Sequence, residues 1–381
     1  MDDLAPPHPA LLPAGLRDLL PPDAQTEAAS VEALMAVFAS HGYARVKPPM
    51  LEFEENLLSG TGAAIAEQSF RLMDPDSHRM MALRADMTPQ LARIAGTRLA
   101  GSPRPLRLAY AGECIRTRGQ RETDRQLPQA GIELFGADSA EADAETMLVA
   151  AEALANIGLT RLSLDLTLPT LAPSLLDALD LPGAERKSLA RALDRKDAAG
   201  VAAHGGALAP MLTDLLLAAG PAQPALAALE RAHLPETSRA LAERLGQVVT
   251  LLHDKAPSLR ITVDPLEFRG FRYHTGIAVT VFAPGRHEEL GRGGRYLCSN
   301  GEPATGLTLF ADAVLRAAPA PVERPSIAVP FGTDPGATKF LRSQNFVTIA
   351  LLEPAADLEI EARRLGCTHV FVQGAAVAIR P

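Results

Sequence analysis

Gln129-Ala130-Gly131-Ile132-Glu133-Leu134-Phe135 places two polar side chains and a glycine at every second position of a run that otherwise reads as apolar core. Alternate residues of a strand share a face, so Gln129, Gly131 and Glu133 should line one surface of a strand whose other surface is core. A carboxylate in that setting leaves water and requires a partner. An imidazole ring would serve Glu133, and so would an internal cation such as Arg116.

Working outward, Leu106 to Ile115 reads as a companion strand, joined to the first by the charged connection Arg116 to Arg125. Arg116, Arg118, Arg121 and Arg125 are interspersed there with Glu122 and Asp124, which suits either forked hydrogen bonds to a phosphate or carboxylate or a mixed-charge surface hairpin. Upstream, Arg84-Ala85-Asp86-Met87-Thr88-Pro89 runs from a strand end into a helix start, with Thr88 read as N-cap and Pro89 as N1. Free N–H groups and the helix dipole favour anions there. Asp86 beside Thr88 suits an ammonium group, and both residues also suit plain helix capping.

Asp23 to Ser40 has the spacing of an amphipathic helix ended at Gly42, followed by a short strand stopped at Pro48-Pro49. Ser69 to Met73 and Arg79 to Arg84 read as two strands about a turn at Asp74 to Ser77. Leu162 to Leu168 alternates leucine with Ser163, Asp165 and Thr167, as a strand with one covered face does. From about Leu171 to Lys255 the texture changes to Ala/Leu-rich helical segments broken by prolines, read as an inserted module. Strands resume at Arg260 to Val263 and Thr275 to Phe282, and a helix is expected after Thr305. Gly291-Arg292-Gly293-Gly294-Arg295-Tyr296 reads as a tight turn that could alternatively cradle an anion. In Phe268-Arg269-Gly270-Phe271-Arg272-Tyr273-His274, a turn rich in cations and rings enters a strand; a lone histidine such as His274 is by itself more often structural than functional. The expected class is α+β, a mainly antiparallel sheet with helices on one side over residues 1–320 and a short α/β unit over 321–381, behind a proline linker.

The bulk numbers exclude several functions. A net charge of −8 argues against wrapping phosphate backbones. The three cysteines, Cys114, Cys298 and Cys367, are too far apart to suggest a disulfide framework or metal site and read as buried thiols. Asp2 and Asp3 stand where a signal peptide carries positive charge, and no apolar stretch reaches membrane-spanning length, so a cytoplasmic protein with no membrane contact is expected. No cofactor or metal motif is readable, and nothing resembles a nucleophile–base pair.

Taken in order, Leu12-Pro13-Ala14-Gly15-Leu16-Arg17-Asp18, the Pro48-Pro49 strand, Arg84 to Thr88, Gln129 to Gly136, Arg269-Gly270 with Tyr273, and Gly293-Gly294-Arg295-Tyr296 resemble histidyl-tRNA synthetase, over roughly residues 10 to 316. The resemblance implies a class II aminoacyl-tRNA synthetase-like fold and a dimer interface around Pro48-Pro49. It also implies that Asp86, Thr88 and Gln129 hold the amino group of histidine, Glu133 and His274 face its imidazole, Arg269 meets its carboxylate, and Arg116 matches a phosphate-binding arginine; Tyr273 joins that pocket.

Departures from the synthetase pattern cluster on its ATP machinery. The acid expected two residues after Arg116 is Arg118, the arginine closing the third motif is Ala313, and Leu297 and Cys298 replace an aspartate and a glycine. Removing one preorganised cation from the reacting phosphates costs a factor of ~10²–10³ in rate. With a histidine pocket kept, the ATP machinery eroded and a C-terminal unit too short for a full anticodon-binding domain, the chain resembles the regulatory subunits of ATP phosphoribosyltransferase. That resemblance implies a non-catalytic, histidine-binding chain that pairs with itself within a hetero-oligomer, activates a short-form catalytic subunit and conveys feedback inhibition, with little expectation of tRNA binding. The competing readings are a divergent histidyl-tRNA synthetase and a stand-alone sensor of histidine or tRNA.

Overall fold

Helix α1 (Asp23–Ser40) turns Leu34, Met35 and Phe38 inward and ends at His41, after which Gly42 takes the left-handed φ of 81° that redirects the chain. The computed structural model describes residues 11–118, 125–179, 181–268, 270, 273–320 and 323–379. Contacts divide the chain into two compact units, one ending at Pro319 and the other beginning at Ala320.

After α1 come strands β1 (Ala44–Arg45) and β2 (Leu51–Phe53), helix α2 (Glu54–Leu57), strands β3 (Arg71–Met73) and β4 (Met80–Leu83), and helix α3 (Thr88–Gly96). Prolines 48 and 49 keep β1 to two residues, because proline cannot donate to a ladder. The long pair β5 (Leu106–Ile115) and β6 (Gln126–Phe135) follows, then α4 (Ala140–Asn156), opened by the Ser139 hydroxyl accepting the Ala142 N–H at 3.3 Å, and β7 (Ser163–Thr167). Residues 171–255 carry α5 (Leu171–Asp177), α6 (Gly183–Asp194), α7 (Ala198–His204), α8 (Ala209–Leu217), the two-residue β8 (Gly220–Pro221), α9 (Ala222–Arg231) and α10 (Glu236–Lys255). Strands β9 (Arg260–Asp264), β10 (His274–Phe282), β11 (Glu289–Leu297) and β12 (Pro303–Phe310) lead into α11 (Ala311–Ala317).

The main sheet has the order β1-β5-β6-β12-β11-β10-β7-β9-β8, antiparallel except where β1 meets β5 and β7 meets β9. Register sorts its residues onto two faces. Ala109, Ile132, Leu307, Val279 and Leu166 are on one face, packed against α1, α4, α10 and α11 in the main core. Tyr110, Gly131, Glu133, Gly306 and Gly294 are on the other, so the strand with one polar face next to core is realised as read. A separate three-stranded sheet, β2-β4-β3, forms around the turn at Asp74, whose carboxylate accepts the Ser77 hydroxyl at 2.5 Å.

Two readings need correction. The glycines between 291 and 296 lie inside β11 rather than in a turn: a Cβ on Gly293 would collide with the carbonyl oxygen of Gly306 across the ladder, so glycine serves close strand approach here. The helix expected after Thr305 begins only at Ala311, because Pro303–Phe310 is the strand between β6 and β11.

In the second unit, β13 (Ser326–Val329) pairs in parallel with β14 (Val347–Ala350) and β15 (His369–Val372), and β16 (Ala375–Ala378) closes the edge antiparallel. Helix α13 (Leu358–Arg364) buries Ala362 with Ala328 and Val370, while α12 (Pro335–Ser343), not read from the sequence, buries Leu341 with Ile327 and Val329. No helix among the described residues is long and apolar enough to cross a membrane.

Candidate functional site

Glu133 is 1% exposed and sits on β6 above a floor with few side chains. A Cβ at Gly306 would overlap its carboxylate, and one at Gly131 would stand 2.5 Å from the Tyr110 hydroxyl. Glycine at both positions leaves the volume the carboxyl and the phenol occupy. The Glu133 Oε1 accepts the Thr88 hydroxyl at 2.8 Å and Oε2 accepts the Tyr296 hydroxyl at 2.9 Å. Burial pushes the Glu133 carboxyl up to about 8; its two hydroxyl partners pull it down, and the nearby Asp86 carboxylate adds to the rise. The Tyr110 hydroxyl shares a 2.6 Å hydrogen bond with Thr308, and burial lifts Tyr110, Tyr273 and Tyr296 well above the ordinary phenol range, so they stay neutral.

The partner expected for Glu133 is therefore different in kind: hydroxyls meet it, while the Arg116 Nε donates to the Ala85 carbonyl at 3.1 Å. The helix-start reading also changes. Met87 occupies the N-cap of α3, which makes Thr88 its first residue and frees that hydroxyl for Glu133. Asp86 does serve the helix start, since its Oδ1 accepts the Thr88 N–H at 2.9 Å.

Gln129 is 1% exposed; its Oε1 accepts the Met87 N–H and the Cys114 thiol, both at 3.2 Å, which leaves Nε2 buried without a partner. A buried orphan donor is costly, and an acceptor brought by a ligand would satisfy it. Tyr273 stacks on His274 with ring centroids 4.3 Å apart and meets Tyr296 edge-on at 5.8 Å. These rings bring the start of β10 and the end of β11 to the same place as Glu133. Arg269, assigned to a ligand carboxylate, lies outside the described residues, as do Arg121 and the middle of the 116–125 connection.

Arg295 does not cradle an anion from outside. It is 5% exposed and donates from Nε to the Asp143 Oδ1 at 2.9 Å and from Nη1 to the Ala137 carbonyl at 2.9 Å. Sequence reasoning missed Tyr110 and passed over Tyr296 as a motif residue. The available signal was a tyrosine two residues before Gly112 in a strand paired with another that carries Gly131. Ala313, at the position read as closing the third motif, is 3% exposed and packed in the main core, and Cys298 is buried. All three cysteines are buried, in line with structural thiols.

A glycine-floored antiparallel sheet with a buried glutamate beneath a helix start defines a class II histidyl-tRNA synthetase-like protein. The family model described as histidyl-tRNA synthetase matches residues 15–314. The crystal structure of an ATP phosphoribosyltransferase regulatory subunit/histidyl-tRNA synthetase from Bacillus halodurans shares the fold, with a TM-score of 0.79 at 23% identity over 94% of this chain and 97% of that one. The ATP phosphoribosyltransferase regulatory subunit of Paramagnetospirillum magneticum is 54% identical over 94% of this chain and 95% of its own length. That of Rhodospirillum centenum is 53% identical over 98% and 97%. The chain belongs to the ATP phosphoribosyltransferase regulatory subunits, and its role is regulatory rather than catalytic.

Proposed function

We propose that this chain binds free histidine over Glu133 and conveys its occupancy to a short-form ATP phosphoribosyltransferase catalytic subunit, supporting activity when empty and lowering it when filled. The carrying observation is the state of Glu133: fully buried, raised to about 8, and held by the neutral hydroxyls of Thr88 and Tyr296. A ring that takes up the glutamate's proton, or presents an N–H of its own, converts an expensive buried carboxyl into a charge-assisted pair. Asp86 keeps a carboxylate oxygen for the ligand's ammonium group, with Thr88 and Gln129 beside it. Arg269 is assigned to the ligand carboxylate, Arg116 stands beside the pocket as the match of a phosphate-binding arginine, and Tyr273 and His274 wall the ring. The orphan Nε2 of Gln129 adds a donor for a carboxylate oxygen or an unprotonated ring nitrogen.

This division gives residues 1–320 to histidine, with the helical insertion at roughly 171–255, and leaves 321–381 as a small appended domain. The chain would act in the cytoplasm, paired with a second copy within the hetero-oligomer. Histidine can regulate only by binding the states of that assembly with different affinity. The test mixes the purified chain with the short-form catalytic subunit of the same organism and follows phosphoribosyl transfer to ATP. Activity should appear in the mixture and fall with histidine. Glu133→Gln should weaken histidine binding at least ~10-fold, the cost of one charge-assisted hydrogen bond, and relieve inhibition in parallel. Unchanged binding by calorimetry would remove the pocket assignment.

A further inference from the structure

On β11, Arg295 and Tyr296 are neighbours, and strand alternation sends them to opposite faces of the sheet. Tyr296 reaches the site face and donates to Glu133 at 2.9 Å. Arg295 reaches the helix face, passing over Gly276, where an added Cβ would lie 3.1 Å from its own side chain. There it donates to Asp143, in the first turn of α4, at 2.9 Å, and to the carbonyls of Ala137 at 2.9 Å and Ser139 at 3.4 Å. Both carbonyls belong to the turn that leaves β6, the strand carrying Gln129 and Glu133. The second oxygen of Asp143 accepts from Nε of Arg244, on α10, at 2.9 Å, and Arg244 also holds Asp138 at 2.6 Å.

Asp143 is 1% exposed, so its charge is compensated by these two guanidinium groups and hardly by water. A buried carboxylate shared by two cations fixes the geometry of both, because loosening either leaves charge uncompensated in a low dielectric.

We infer that Asp143, Arg295 and Arg244 are positioning residues for the pocket: they set the placement of the Tyr296 hydroxyl on Glu133 and tie it to helix α10. The inference rests on the histidine reading above and deepens it, since it names α10 as the element through which occupancy of the pocket is felt outside it. A ligand that draws on Glu133 pulls on Tyr296, on the backbone of β11, and through Arg295 and Asp143 on Arg244. Conversely, a partner that moves α10 alters the hold on Glu133.

The test reads Glu133 directly. Other ionisable groups around it are Asp86 before α3, Tyr110 on β5, Tyr273 and His274 at the start of β10, and Cys298 after β11. The melting temperature of the ligand-free full chain is followed against pH. Glu133→Gln identifies the step that belongs to Glu133 by abolishing it, and Tyr296→Phe moves its midpoint upward by removing a hydroxyl that favours the ionised form. Asp143→Asn and Arg244→Met should move the same midpoint in the same direction and weaken histidine binding about 10-fold, and Arg244→Lys should restore most of both. Arg244→Met keeps the Arg295–Asp143 pair, so the test survives a failure of Asp143→Asn to fold. Variants that melt lower at every pH by the same amount, with midpoint and histidine affinity unmoved, would reduce the network to scaffolding and overturn the inference. A wild-type chain that binds no histidine while its midpoint still follows Arg244 would instead fail the ligand reading and leave the positioning role standing.

Discussion

Glu133 keeps its proton to about 8 in the folded chain against an ordinary 4.5, chiefly because burial penalises the charge. The unfolded chain releases that proton first as pH rises, so between these two values rising pH favours unfolding. The group's stabilising contribution is whole below about 4.5 and gone once pH has passed 8. At about 1.4 kcal/mol for each pH unit separating the folded and unfolded values, the swing amounts to a few kcal/mol. The melting temperature of the ligand-free protein should therefore fall between pH 5 and 8.5 by more than that of Glu133→Gln, whose profile should be flatter over the same window; parallel profiles would show that the carboxyl is not held this way. Part of this residue was legible. The alternation of Gln129, Gly131 and Glu133 announced a buried acid, but it could not say that hydroxyls from α3 and β11 would meet it, because residue 296 becomes a neighbour of 133 only when β12 pairs between β6 and β11, and residue 88 only when α3 packs on β6.

At the scale of elements, what local chemistry dictates was readable and what close approach dictates was not. Helix α1 spans Asp23–Ser40 as its apolar spacing and Gly42 require, and β5 runs from Leu106 to Ile115 as read. Strand β11 escaped, since a run of glycines carries no apolar alternation and looks like a turn. Its glycines answer instead to carbonyls and side chains on β10 and β12. The same logic makes Gly306 a sharp test. An alanine there would collide with the Glu133 carboxylate and come 2.6 Å from the Ile132 carbonyl oxygen, and neither can retreat within a central strand. Gly306→Ala should cost about 1–3 kcal/mol of stability in chemical denaturation and abolish measurable histidine binding. Alanine at the exposed Gly101, where an added Cβ meets nothing within 4 Å, should leave both unchanged.

At the scale of the whole molecule, every described residue of the pocket belongs to the unit ending at Pro319, while the remainder buries its own small core on both faces of β13. Compact units with separate cores generally fold separately. A chain ended after Pro319 should therefore keep a cooperative melting transition and bind histidine within ~2-fold of the full protein, measured by calorimetry. Loss of binding in a folded truncation would place part of the site in the second unit.

Sequence by itself determined the α+β class, the antiparallel sheet, the helical texture of 171–255 and the buried carboxyl at 133. These follow from periodicity, glycine and proline placement and residue chemistry, which act over a few neighbours. Tertiary structure alone decided that Thr88 serves Glu133 rather than the helix cap, that Arg295 turns inward to Asp143, and that the Tyr110 hydroxyl is hydrogen-bonded to Thr308. Each of these joins residues at least 45 positions apart. A buried polar atom takes whichever partner the packing leaves within about 3 Å, and that choice is made only when the strands are in register.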